Sequence, residues 1–177
     1  MNKTKISIIL SDERRINLIL DPKYSPISVD NFLRLCKEKF YDGTLFHRVI
    51  DNFMIQTGGF FLDGNSIYQK ECPSIKGEFK NNGVINELKH VPGVISMARS
   101  QDNDSASSQF FVCSAECPWL DGSYAAFGYA ADEESIEVVK AVAAMPTTRV
   151  ANYFDDFPVD LISVKTIEIL GEVEWKN

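Results

Sequence analysis

The chain has 177 residues, with 18 Lys and Arg against 25 Asp and Glu, a formal net charge of −7 and a calculated pI near 4.9. Apolar residues make up 45% and charged residues 24%, a globular composition that excludes disordered, collagen-like and low-complexity classes. The acidic balance argues against a surface that tracks nucleic-acid phosphates, and a domain of this size buries roughly 70% of its unfolded surface, enough to fold without disulfide or metal.

At the N-terminus the apolar run stops at Leu10 and Ser11-Asp12-Glu13-Arg14-Arg15 follows, too short for a signal peptide. No stretch approaches the roughly 18 apolar residues of a membrane helix, so the sequence predicts a soluble, cytoplasmic protein without membrane contact. Residues 5–10 and 15–20 are β-branched and partly alternating around a turn at 11–14, which predicts a β-hairpin. Residues 28–40 carry Val29, Phe32, Leu33, Cys36 and Phe40 at helical spacing, with Ser28 placed to cap the N-terminus and Lys37 and Lys39 in the last turn. From 44 to 128 the pattern becomes short apolar runs (44–50, 54–57, 93–98, 109–114 and 125–129) broken by Gly, Asn and Pro. A second helix is predicted over 133–145, with Asp132, Glu133 and Glu134 at its positive end and Pro146 beyond it. Residues 161–170 read as a last strand. This order fits one domain over 1–177, a closed β-barrel with two covering helices that leaves no sheet edge exposed.

The cysteines Cys36, Cys72, Cys113 and Cys117 read as reduced, mostly packed thiols. Cys113-x3-Cys117 lacks the usual zinc spacing, and only His47 and His90 exist to complete a site. No metal is expected.

Two stretches are specific. One runs Phe46-His47-Arg48-Val49-Ile50-Asp51-Asn52-Phe53-Met54-Ile55-Gln56-Thr57-Gly58-Gly59. The other runs from Gly93-Val94-Ile95-Ser96-Met97-Ala98-Arg99-Ser100 to Ser108-Gln109-Phe110-Phe111-Val112, then to Trp119-Leu120-Asp121-Gly122 and Tyr124-Ala125-Ala126-Phe127-Gly128. Together they resemble the cyclophilins, a family of peptidyl-prolyl cis-trans isomerases, over about residues 5–170, with wording similar to bacterial members. The resemblance implies an eight-stranded antiparallel β-barrel with a helix at each end, a filled interior, and a site in a groove on the outside of the wall. It also implies catalysis without cofactor or covalent intermediate, assistance to protein folding, and proline-containing peptides and proteins as partners; nothing in the sequence suggests more than a monomer.

The same resemblance places Arg48, Phe53 and Gln56 in catalysis. Arg48 stays charged and offers N–H donors in a fixed fork; Gln56 orients it and holds peptide backbone. Phe53, Met54, Phe111 and Leu120 would form the proline pocket, with Phe110, one residue along the strand, turned into the barrel. Tyr124 stands where many relatives carry histidine, which removes a group that titrates near neutrality. Gln109 matches a polar residue of the groove. Ala98, Arg99 and Ser100 match the segment that pairs with substrate backbone, and the Arg99 side chain is placed to shape the pocket for the residue before proline. Trp119 matches the residue whose indole helps relatives bind cyclosporin, which predicts cyclosporin sensitivity. His47 is expected to be structural and hydrogen-bonded. The sequence departs from the family at Asp51-Asn52, where Pro-Gly is usual, and at 61–73, which lacks the usual Gly-rich run. A binding module that merely captures proline segments is the main rival. A hollow, lipocalin-type barrel conflicts with the many Phe, Ile and Val residues, and hydrolase motifs are lacking.

Overall fold

The structure is a computed structural model, which describes residues 1–173. In chain order the elements are β1 (Lys3–Leu10), β2 (Arg15–Leu20), α1 (Pro26–Lys37), β3 (Arg48–Ile50), β4 (Met54–Thr57), β5 (Phe60–Asp63) and β6 (Ser66–Gln69). They continue with β7 (Ile95–Met97), β8 (Phe110–Cys113), β9 (Ala126–Ala130), α2 (Glu133–Ala143), β10 (Thr147–Val150), β11 (Phe154–Pro158) and β12 (Val164–Val173). Eight strands form one antiparallel sheet in the order β12-β1-β2-β9-β7-β8-β4-β3.

The predicted hairpin forms with Thr4 opposite Leu20 and Ile9 opposite Arg15. Period-two alternation turns Ile6, Ile8 and Leu10 of β1 and Ile16, Leu18 and Leu20 of β2 into the interior, where all are fully buried. Phe32 of α1 fills the centre, with ring centroids 5.1 Å from Tyr41, 5.2 Å from Phe110 and 5.4 Å from Phe127. Those tilted and edge-on aromatic contacts make the interior a packed core.

The ladder itself stops at β3 and β12. Its ends are joined by the segment leading into β3: Gly43 N–H donates to the Val164 carbonyl at 2.7 Å, Val164 N–H to the Thr44 carbonyl at 2.8 Å, and Phe46 N–H to the Ile162 carbonyl at 2.9 Å. The predicted closure is thus made by a loop against a strand, so the run expected over 44–50 is regular strand only from Arg48.

Helix α1 begins two residues earlier than the spacing predicts, and Ser28 is not its cap. Pro26 opens it, since a missing N–H costs nothing in the first turn. The orphan donors there are satisfied from far away: Glu78 accepts Ile27 N–H at 3.1 Å, Ser28 N–H at 2.6 Å and the Ser28 hydroxyl at 2.8 Å. The helix ends at Lys37, and Lys39 lies beyond it at φ +58. Helix α2 follows the prediction, with Asp132 Oδ1 accepting Ser135 N–H at 2.7 Å.

Two small hairpins were not expected. β5–β6 occupies most of the atypical 61–73 stretch and turns at Gly64 (φ +60), a positive angle that two-residue hairpin loops favour. β10–β11 lies against the outside of the barrel, where Phe154 and Phe157 pack with Leu45.

Candidate active site

The register of the sheet builds the site. Val49 of β3, Ile55 of β4, Val112 of β8 and Ile95 of β7 stand in one cross-strand row, and all four belong to the interior core. The adjacent row, Arg48, Gln56, Phe111 and Ser96, therefore faces outward. Met54 shares the outer face with Gln56, two residues away on β4. Phe110 and Phe111 fall on opposite faces as expected, Phe110 in the central core and Phe111 in a separate apolar cluster with Met54, Cys113, Cys117 and Leu120.

On that outer cluster sits a pocket of about 220 Å³, lined by Arg48, Phe53, Met54, Gln56, Ala98, Arg99, Phe111, Leu120 and Tyr124. All nine were singled out in the sequence. Its floor is apolar, and Arg48 and Gln56 occupy one side. Arg48 Nη1 donates to Gln56 Oε1 at 3.4 Å, and Gln56 Nε2 donates to Gln109 Oε1 at 3.0 Å. The Arg48 guanidinium carbon lies 5.8 Å from the centre of the Phe53 ring. Gln109 reaches this relay because residue 59 is glycine: a Cβ there would come within 2.5 Å of the Gln109 side chain.

The far wall is made by Arg99 and Tyr124. The Arg99 guanidinium carbon lies 4.6 Å from the Tyr124 ring centre and 4.9 Å from that of Phe79. Its Nε and Nη2 donate to the Ser123 carbonyl at 3.1 and 2.7 Å, and Nη1 to the Ser100 carbonyl at 2.9 Å. Those bonds pin the side chain as part of the wall. The β7–β8 pairing continues one step beyond β7 through Ala98 N–H to the Gln109 carbonyl at 3.0 Å, and Ser100 N–H is taken by Ser105 Oγ at 3.0 Å. Among the described residues the main-chain N–H and C=O of Arg99 have no partner, so the edge of the sheet is unpaired at Arg99. Trp119 is exposed on the rim, its ring 5.7 Å from Phe53. Asp51-Asn52 does form the turn ahead of the pocket, with Asn52 at φ +56.

His90 was not singled out as a site residue, yet it backs the pocket. Its ring stacks on Phe111 with centroids 6.0 Å apart and planes 19° apart. Nδ1 lies 2.9 Å from Asp121 Oδ1 and Nε2 lies 2.9 Å from Ser96 Oγ. Burial lowers its pKa, against the opposing pull of Asp121. The neutral ring therefore donates through Nδ1 to the carboxylate and accepts the serine hydroxyl at Nε2. Asp121 is 31 residues away in the chain, so no local pattern reveals the pairing.

His47 is a structural residue, and of its ring nitrogens Nδ1 has no hydrogen-bond partner among the described residues. The ring packs edge-on, 4.7 Å from Phe60 and 5.8 Å from Phe154, and burial holds its pKa down at about 4. The four cysteines are unpaired. Burial pushes the Cys36, Cys113 and Cys117 thiols up, which keeps them protonated and unreactive.

The family model for "Cyclophilin type peptidyl-prolyl cis-trans isomerase/CLD" matches residues 5–169. The chain is a cyclophilin. It is 36% identical over 92% of its length to peptidyl-prolyl cis-trans isomerase A of Dickeya dadantii, covering 83% of that protein. It is 39% identical over 80% of its length to a peptidyl-prolyl cis-trans isomerase of Acinetobacter baylyi, covering 74% of it. Among solved structures it resembles a Cryptosporidium parvum cyclophilin type peptidyl-prolyl cis-trans isomerase, with a TM-score of 0.74, 25% identity, and coverage of 97% of this chain and 99% of that one. This cyclophilin is accordingly a peptidyl-prolyl cis-trans isomerase, with the family fold the resemblance implied.

Proposed function

We propose that the pocket is the isomerase active site, with Arg48 as the catalytic donor and Gln56 as the residue that positions it. The observation that carries this reading is the placement of the Arg48 guanidinium beside an apolar pocket, hydrogen-bonded to an amide that is itself held by Gln109, whereas the Arg99 guanidinium across the pocket is taken up by main-chain carbonyls.

Rotation about an X-Pro bond must break amide resonance, at a barrier of about 18–20 kcal/mol. In the twisted state the proline nitrogen becomes pyramidal and gains a lone pair that neither planar ground state possesses. A donor aimed at that nitrogen stabilises the transition state selectively, which is what lowers a barrier. The pyrrolidine ring sits on Met54, Phe111 and Leu120, with Phe53 and Tyr124 as side walls. The open main chain of Arg99 pairs with the substrate backbone, which fixes the axis of rotation. No proton leaves carbon and no covalent bond forms. A related Cryptosporidium parvum structure was determined in the presence of the dipeptide Ala-Pro, the smallest ligand of the class this pocket is shaped to take.

The clients on this reading are proline-containing peptides and folding proteins, and the working unit is a monomer in a reducing cytoplasm. Four unpaired cysteines support that compartment. Exposed Trp119 beside Phe53 supports cyclosporin binding. The deciding experiment is exchange NMR on an Ala-Pro peptide with wild type and Arg48→Ala. Arg48 is exposed, so its removal opens no cavity. A loss of about 10²–10³ in kcat/KM at unchanged melting temperature is expected. Near-normal turnover by the variant would overturn the assignment.

A further inference from the structure

Beside the proline pocket, on the other side of Arg48 and Gln56, lies a second cavity of about 390 Å³. The two share Arg48 and Gln56 as a common wall, so a peptide seated in one extends within reach of the other. The outer wall of this second cavity is the β10–β11 hairpin, through Tyr153, Phe154, Asp155 and Asp156.

That wall is held firmly. Phe154 packs edge-on against Phe60 with centroids 5.0 Å apart, and both rings clamp His47, which lines the cavity and is 6% exposed. The hairpin thus presents its two carboxylates at a fixed place. Asp155 has one partner, an exposed pair with Arg149 Nε at 3.4 Å. Asp156 is half-buried and makes no side-chain hydrogen bond or ion pair among the described residues. Arg48, the cation of the shared wall, bonds to neither carboxylate; it leans on Gln56 and Phe53. A half-buried, unpaired carboxylate next to a substrate groove is an electrostatic vacancy for a cation.

We infer that this cavity is a specificity subsite, in which Asp156, assisted by Asp155, receives a lysine or arginine side chain of the substrate next to the proline. The inference rests on the isomerase reading and adds a substrate class to it: proline segments flanked by basic residues. Tyr153 offers an aromatic face along which the aliphatic stem of such a side chain can lie. The preference comes from two aspartates at one place, distinct from the general attraction of an acidic protein for cations.

The test is protease-free exchange NMR on Ala-Pro peptides that carry Lys, Glu or Gln in turn at the two positions before and the two after proline. At one position the Lys peptide should exceed the Glu peptide in kcat/KM by about two- to fivefold in low salt, as one partly exposed ion pair allows. The ratio should collapse at ionic strengths of about 0.5 M. In D155N/D156N the ratio should fall to near one, whereas E133Q/E134Q, which removes the same charge from the start of α2, should keep it. A ratio is independent of how much of each preparation is folded. Equal turnover of Lys and Glu peptides at all four positions would overturn the subsite while leaving the isomerase reading intact. So would a preference that survives D155N/D156N. No turnover of any peptide, the Gln series included, would overturn the isomerase reading and the subsite with it.

Discussion

Gln56 stands directly opposite Arg48 in the β3–β4 ladder, and the two side chains are joined by a hydrogen bond of 3.4 Å from Nη1 to Oε1. The far end of the same amide is bonded to Gln109 at 3.0 Å, a two-step relay that, on the reading proposed above, aims Arg48 together with the Phe53 ring beside it. Gln56→Leu keeps the side chain's bulk and removes both bonds. It should lower kcat on the order of tenfold, the worth of one hydrogen bond to a charged group, with a smaller change in KM, whereas Gln56→Glu, which still accepts from Arg48, should recover part of the loss. Steady-state isomerase kinetics on one Ala-Pro peptide decide this; equal kcat for Leu and Glu variants would show that the relay does not aim Arg48.

The two histidines make stability depend on pH. Burial holds His47 near a pKa of about 4 and lowers that of His90. The unfolded chain protonates both near pH 6.5 while the native rings stay neutral, so protons favour unfolding in this window. Stability is full above about pH 6.5 and drains away as pH falls toward 4. His47→Phe should extend the Phe60–Phe154 cluster and flatten this slope. Urea midpoints at pH 7 and pH 5 measure it, and an equal loss in wild type and variant would refute the assignment to His47.

Activity should behave differently. No histidine lines the proline pocket, where Tyr124 forms the wall, and buried His90 is already neutral. We expect kcat/KM to be level between pH 6.5 and pH 8. A pH–rate profile on one Ala-Pro peptide checks this, and an inflection within that range would overturn it.

Thiol chemistry separates the cysteines. Cys36, Cys113 and Cys117 are buried, and burial keeps them protonated; Cys72 is half-buried. Under native conditions a disulfide reagent should titrate Cys72 rapidly and the others only as fast as the protein unfolds, and Cys72→Ser should abolish the fast phase. Two or more fast thiols in the wild type would contradict the burial of Cys36 in the central core or of Cys113 and Cys117 in the apolar cluster beneath the pocket.

Trp119 offers its indole to solvent at the rim, 5.7 Å from Phe53. Cyclosporin should inhibit the wild type, and Trp119→Ala should weaken that inhibition at least tenfold, as loss of a buried interfacial tryptophan would, while peptide turnover changes less. No inhibition of the wild type at high micromolar drug would rule the site out.

How far the sequence could be read depended on distance along the chain. Alternation in β1 and β2 and the stripe of α1 are local patterns, and they located the barrel wall and its filling. The motif around Arg48 and Gln56 carried the site because the register of two adjacent short strands juxtaposes them. What escaped is non-local. Glu78 caps α1 from 50 residues away, and Asp121 fixes His90 from 31. The β5–β6 hairpin has a local signal, Asp63-Gly64-Asn65 between Phe60-Phe61-Leu62 and Ile67-Tyr68, whereas β10–β11 turns through Ala151 and Asn152 at φ +55, without a glycine to mark it; that Phe60 and Phe154 enclose His47 depends on segments far apart in the chain.

The helix cap has a consequence for the molecule's own assembly. Helix α1 emerges early in synthesis, but its first turn stays unsatisfied until Glu78 arrives, and β1 gains its second neighbour only when β12, which pairs Val173 with Lys3, has been made. Loop closure over such spans delays the transition state until distant segments meet. A ribosome-bound fragment that lacks β12 should therefore remain open at the seam, so that this isomerase completes its own barrel only once β12 is free to pair with β1.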